Sequence, residues 1–132
     1  MIDRTKKIIV KLNRQVLIPC QNGEALFELD CVSGDEDHPT PTGKFTVLRK
    51  VNPCFSHEFH VQMDHALFFT NRGHAIHQSH AVGPLSFLKS IGFDSFGSHG
   101  CVRLSEEDAT WLFKWAEVGV PIHIQRDVTI EA

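Results

Sequence analysis

Apolar and polar residues alternate with a period of two over much of the chain, and the period lengthens to that of a helix once, near the end. "KIIVKL" and "QVLIPC" are β-rich runs separated by Asn13-Arg14. "EALFELDCV" follows Asn22-Gly23, a dipeptide that forms tight hairpin turns because both residues tolerate positive φ. These runs predict two successive hairpins. "SGDEDHPTPTGK" is dense in turn formers and predicts a loop. "FTVLRKV" predicts a further strand, and "PCFSHEF" reads as irregular. "HALFFT" and "HAIHQ" predict another hairpin about Asn71-Arg72-Gly73. Residues 79–97 read as a long connection punctuated by glycine, with a helical turn around Leu85 to Lys89.

Beyond Cys101 the spacing changes. Ser105 with Asp108 three positions on resembles a capping box. Ala109, Leu112, Phe113 and Ala116 then fall at i, i+3, i+4 and i+7, one face of a helix, and Gly119 stands where a C-terminal cap belongs. Trp111 and Trp115 share a neighbouring face and read as packing and surface residues. Val120 to Ile124 predicts a closing strand. The pattern describes one mainly-β domain over residues 1–132, with a helix beside its sheet.

Composition narrows the function classes. With 132 residues and 42% hydrophobic content, the chain can bury a real core as a single domain. A net charge of −3 leaves no basic footprint for nucleic acid. No apolar run approaches the roughly 18 residues of a membrane span. The first residues carry no apolar segment of the signal-peptide kind. The expected location is therefore the cytoplasm, or the periplasm and cell wall if an export segment has been trimmed. Oligomeric state is not legible. The four cysteines, Cys20, Cys31, Cys54 and Cys101, lack CxxC spacing. Cys20 and Cys31 read as small buried hydrophobes.

Candidate chemistry concentrates in "FGSHGCVRL". Cys101 lies just before a predicted helix start, where free N–H groups and the helix dipole favour a thiolate. His99 and Arg103 add donors or positive charge. Gly100 removes a side chain beside the thiol, which would let a substrate carbonyl approach the backbone. A base must come from elsewhere, and "HAIHQSH" offers His74, His77 and His80. These histidines with Cys101 also raise zinc, but strand alternation sets His77 opposite His74 and His80. No metal or cofactor is expected.

The "AIHQ…SHGCVRL" pair resembles the signature of the L,D-transpeptidase (YkuD-type) family. "TPTGKFTV", "MDHALFFTNRGHAIH" and the opening hairpins extend the resemblance across most of the chain. It implies a mainly β, sandwich- or barrel-like domain with one or two helices. It also implies a cysteine enzyme acting on peptidoglycan stem peptides, with no cofactor. On that resemblance Cys101 is the nucleophile, His77 the base, and the Gln78 carbonyl orients the imidazole. The Gly100 and Cys101 N–H groups hold the oxyanion. Ser98 and His99 shape the pocket, and Arg103 pairs with a substrate carboxylate or braces the loop. His77 is preferred to His80 because it ends a strand. The bond cleaved joins an L-centre, meso-diaminopimelate or lysine, to D-alanine. The absence of an export signal favours water as acceptor, giving an L,D-carboxypeptidase in murein recycling. The alternative is a cross-linking L,D-transpeptidase.

Overall fold

The computed structural model describes residues 4–34, 38–57, 61–79 and 100–126. β1 (Lys6–Lys11) and β2 (Val16–Gln21) pair antiparallel, Ile9 opposite Ile18. Asn22 and Gly23 both take positive φ, 55° and 80°, as a tight hairpin turn requires. The following run, expected as one strand, is two. β3 (Glu24–Ala25) and β4 (Leu29–Asp30) both pair with β2, separated by a stretch that exposes Leu26 and Phe27. Phe27 meets Trp111 edge-on, ring centroids 4.8 Å apart, which draws the chain out of the ladder.

"FTVLRKV" is also not one strand. β5 (Gly43–Thr46) and β6 (Arg49–Val51) belong to different sheets. The switch falls at Val47 and Leu48. Val47 N–H donates to the Val120 carbonyl, while Leu48 N–H donates to that of Phe68. "PCFSHEF" contains β7 (Phe55–Ser56), paired with β8 (Val61–Gln62), where no strand was expected. β9 (Ala66–Phe68) and β10 (Ala75–Gln78) form the predicted hairpin, with Gly73 at φ 95° in the turn. The predicted turn at Leu85 to Lys89 lies outside the described residues.

β11 (Val102–Leu104) leads to the helix α1 (Glu106–Trp115), and β12 (Pro121–Gln125) closes the chain. Ser105 caps α1, its hydroxyl accepting from Asp108 N–H at 3.2 Å. The helix ends at Ala116, earlier than the glycine. Gly119 instead turns the chain into β12 and donates its N–H to the Val47 carbonyl.

The larger sheet runs β3-β2-β1-β12-β5, with β4 also on β2, and a second runs β11-β10-β9-β6. Between them, and under α1, lies one core. It joins Ile8, Val10 and Leu17 to Leu67, Ile76, Val102 and Leu104, with Ala109, Leu112 and Ala116 from the helical stripe. Each large side chain buried there contributes about 1.5–3 kcal/mol. Trp111 and Trp115 stack 5.4 Å apart outside that stripe, with Lys6 over Trp115. Among the described residues no helix is long and apolar enough to cross a membrane.

Candidate active site

The four-stranded sheet has two faces of opposite character. β10 and β11 run parallel, with Ile76 opposite Val102, His77 opposite Arg103 and Gln78 opposite Leu104. Side chains alternate along each strand and paired residues share a face. Ile76, Val102 and Leu104 therefore point into the core. Ala75, His77, Cys101 and Arg103 point the other way. There Cys101 packs with Met63, Ala66, Phe68 and Ala75, and Cys54 lies against the same cluster.

Cys101 precedes a strand, not a helix, which corrects the expectation of a helix-activated thiolate. β11 and Ser105 intervene, and four extended residues carry the chain about 13 Å. The helix dipole acts only within its first turn, so it does not reach the sulfur. The thiol is 4% exposed, and burial pushes it up to about 11. Hydrogen bonding from the Ala75 backbone and the positive charge of Arg103 favour the thiolate but do not outweigh the burial. The resting group is a neutral thiol, lying 3.8 Å from the Gly73 carbonyl as donor to acceptor.

His77 is 1% exposed, and its Nδ1 lies 2.8 Å from the Gln78 carbonyl. A carbonyl only accepts, so Nδ1 carries the hydrogen. In the neutral ring that leaves Nε2 with its lone pair, the tautomer a general base needs. Gln78 is itself held in place. Its N–H donates to the Asp64 carbonyl and its side-chain oxygen lies 3.0 Å from His65 Nδ1. Continuing the β10–β11 register sets Cys101 beside Ala75, so His77 and Cys101 are diagonal neighbours with Cα atoms about 8 Å apart. The small alanine beside the thiol leaves the diagonal open.

Gly100 has φ 94°, which an L side chain adopts only with strain. A Cβ there would meet the His74 ring at 2.8 Å and the Pro39 carbonyl at 3.1 Å. The room expected for a substrate is thus already filled by protein, and the glycine serves close packing of three segments. Gly34 is the second half of that contact. A Cβ on it would collide with the His38 carbonyl and come within 2.8 Å of Gly100 Cα. Thr40 of the "TPTG" run is buried and accepts from Gly34 N–H at 2.8 Å. That motif therefore braces the backbone immediately before the cysteine. His74, one of the three candidate bases, is committed elsewhere. Its Nδ1 lies 2.7 Å from Thr70 Oγ1 and its ring stacks on Phe69.

Arg103 is buried, and its N–H and carbonyl bond the backbone of Val32 at 2.8 and 2.9 Å, tying β11 to the loop that carries Gly34. Ser98, His99 and His80 lie outside the described residues. The structure thus gathers Cys101, His77, the Gln78 carbonyl, Gly100 and Arg103 at one place. Among the described residues no three potential metal ligands cluster, and the four cysteines are free. Sequence reasoning passed over Gly34, Gly73 and Thr40 as site-building residues. The glycines were the signal: Gly34 sits where another backbone passes too close for a Cβ, and Gly73 takes a positive φ in its turn.

A family model described as the L,D-transpeptidase catalytic domain, YkuD, matches residues 5–124. Among curated proteins, the chain is 29% identical over 104 residues to "Probable L,D-transpeptidase 3" of Mycobacterium tuberculosis, spanning 70% of this chain and 36% of that one. It is 27% identical over 128 residues to "L,D-transpeptidase 1" of the same organism, 88% of this chain and 49% of that one. The chain thus spans about half or less of these relatives. A solved L,D-transpeptidase from Mycobacterium smegmatis superposes with TM-score 0.76 at 25% identity, over 92% of this chain and 58% of that one. One from Stackebrandtia nassauensis reaches TM-score 0.79 at 22% identity, over 93% and 56%, which shows the fold.

Proposed function

Because the chain belongs to the YkuD family of L,D-transpeptidase catalytic domains, we propose that it transfers an acyl group from a peptidoglycan stem peptide through a thioester on Cys101. The observation that carries this reading is the 2.8 Å bond between His77 Nδ1 and the Gln78 carbonyl, on the sheet face that also bears Cys101. A thiol pushed up to about 11 is a poor nucleophile at neutral pH unless a base removes its proton as it attacks. His77 Nε2 takes that proton. The sulfur adds to the carbonyl carbon of the L-centre, and the oxyanion is met by the N–H groups of Gly100 and Cys101. Collapse breaks the bond to D-alanine, whose nitrogen takes the proton from His77. Ser98 and His99 are assigned to the walls of the pocket. Arg103 is assigned to the electrostatics of the attacked group rather than to a mobile contact, since it is 4% exposed.

The thioester is then resolved by a second nucleophile. We assign an amine, which makes the chain an L,D-transpeptidase, because the relatives sharing this domain carry that name. Water in its place gives L,D-carboxypeptidase action and a tripeptide, the outcome favoured on sequence grounds.

Mass spectrometry of a murein tetrapeptide incubated with an amine acceptor, using the protein and Cys101→Ala, decides the matter. Exchanged or cross-linked peptide, absent from the variant, is the expected result. Tripeptide with free D-alanine and no amine adduct would reassign the chain as a carboxypeptidase. Product that does not depend on Cys101 would overturn the thioester.

A further inference from the structure

The β9–β10 hairpin keeps a regular ladder only as far as the histidine assigned as base. Phe69 N–H donates to the His74 carbonyl, and Phe68 and Leu67 pair with Ala75 and Ile76. Hydrogen-bonded pairs alternate along an antiparallel ladder. Counting from Phe69 with His74, the next such pairs are Leu67 with Ile76 and then His65 with Gln78. At that last pair a regular ladder would have each residue donate its N–H to the other's carbonyl. The structure does neither. Gln78 N–H donates to the Asp64 carbonyl at 2.9 Å, one residue out of register, and His65 N–H donates to Asn52 Oδ1 at 3.0 Å. The offset is that of a β-bulge.

Its cause lies in the backbone of His65. The residue has φ 55°, in the left-handed region that side-chain-bearing residues seldom occupy. Turning there swings its N–H away from β10 and toward Asn52. The Gln78 carbonyl thereby loses its ladder donor, and it is this carbonyl that lies 2.8 Å from His77 Nδ1. In a regular ladder, His65 N–H would compete with the imidazole for the same oxygen. The bond that keeps the His77 hydrogen on Nδ1 would weaken.

The His65 ring adds a second hold. Its Nδ1 lies 3.0 Å from Gln78 Oε1, and an amide oxygen only accepts, so Nδ1 donates. The ring also meets Phe113 of α1 edge-on, centroids 5.5 Å apart, which limits its swing. One side chain therefore ties both strands together across the bulge and opposes the slip that would restore the ladder. Unfavourable backbone conformations persist where their surroundings over-determine them, and they gather at functional sites. Resting on the acyl-transfer reading above, we infer that His65 is a positioning residue for the base His77. Its backbone reserves the Gln78 carbonyl for the imidazole, and its ring holds Gln78 in the offset. His77 Nε2 is thereby kept as the atom that receives the thiol proton. His65 acts through Gln78 and not on the reacting atoms.

The test follows the His77 tautomer by nitrogen–proton NMR of the free protein, beside kcat and KM on a murein tetrapeptide with an amine acceptor. The protein is compared with His65→Val, His65→Gly, Gln78→Leu and the double variant His65→Gly with Gln78→Leu. A β-branched residue resists positive φ, so His65→Val is expected to draw the strand back toward the regular ladder. Its kcat should fall on the order of 10-fold or more with KM within about 2-fold, and an Nε2–H form of His77 should emerge. Glycine keeps the left-handed backbone and removes only the ring, so His65→Gly should lose about 5-fold in kcat, the worth of one hydrogen bond. Gln78→Leu should match it. The double variant should fall no further than either single one, because the ring acts through Gln78. If His65→Val does not fold, His65→Gly and the double variant decide the matter. Multiplying losses in the double variant would overturn the inference. So would an unchanged His77 tautomer in His65→Val, whatever happens to kcat, or a changed tautomer with kcat intact. Each of these leaves the acyl-transfer reading standing. No Cys101-dependent turnover by the unsubstituted protein would sink both together.

Discussion

The two faces of the β11-β10-β9-β6 sheet are made by the same short strands yet have different tasks. Ile76, Val102 and Leu104 face the core, where α1 and the larger sheet close over them. One residue away on each strand, His77, Cys101 and Arg103 are just as buried but carry polar groups. Burial on the first face stabilises the fold. Burial on the second raises the Cys101 thiol, and there the Gln78 carbonyl fixes the His77 tautomer. The contrast teaches that exposure alone does not separate core from site in this domain. What separates them is whether a buried atom can give up or take a proton.

The sharpest way to break the contrast is to exchange neighbours on β10. His77→Ala is expected to lower kcat by about 10²- to 10⁴-fold, the usual worth of a positioned base. Its cost in stability should be about 2–5 kcal/mol, from the cavity a buried ring leaves and the lost bond to the Gln78 carbonyl, so the two faces are told apart by rate rather than by stability. Steady-state rates set beside urea midpoints check both halves, and full activity in the variant would remove His77 from the mechanism.

The next test reads the thiol directly. Because its pKa is raised to about 11, the group is neutral at pH 7 and its anion grows tenfold with each pH unit. Alkylation of Cys101 in the free protein is therefore expected to accelerate about 10³-fold from pH 7 to pH 10, with no plateau below pH 10. Cys20, Cys31 and Cys54 are free as well and are substituted by Ser or Ala so that one thiol is followed. A plateau near pH 6 or 7 would show that the free protein already holds a thiolate, and the base would then have a different task.

On the opposite face, Ile76→Ala should cost about 2–5 kcal/mol of stability through the cavity it leaves. The variant is expected to keep its rate at temperatures where it is still folded. A rate loss comparable with that of His77→Ala would mean that the core face tunes the chemistry, and the division between faces would fall.

The sequence exposed some of this and concealed the rest for reasons of range. Hairpin turns at Asn22-Gly23 and Asn71-Arg72-Gly73, and the stripe of Ala109, Leu112 and Ala116, are local patterns that the fold retains. The cysteine and the histidine near the end of β10 were legible as residues because their neighbours are distinctive. The strand break at Val47 and Leu48 was not, since alternation looks the same whether one sheet or two receive it. Nor was the environment of the thiol. A strand as short as β11 leaves no periodic signal, so Cys101 read as lying directly before the helix start. The offset at His65 depends on strand register, which no local pattern reports.

The smallest effect concerns the helix that presses on the core face. Ser105 Oγ accepts from Asp108 N–H at 3.2 Å and satisfies one of the donors a helix start leaves open. Three acidic residues follow in the first turn, where they favour the dipole but cannot replace the cap's acceptor geometry. Ser105→Ala should therefore cost about 1 kcal/mol, and Ser105→Gly only a few tenths, since glycine lets water reach the freed N–H. Ser105 directly follows β11, so it is also a test of transmission along the strand that begins after Cys101. If the two faces are independent, the urea midpoint falls in the order Ser, Gly, Ala while kcat/KM stays within about 2-fold. A larger rate change at a temperature where the variants are folded would mean that fraying of α1 reaches the thiol through Leu104 and Arg103, and that the helix helps to hold the active site.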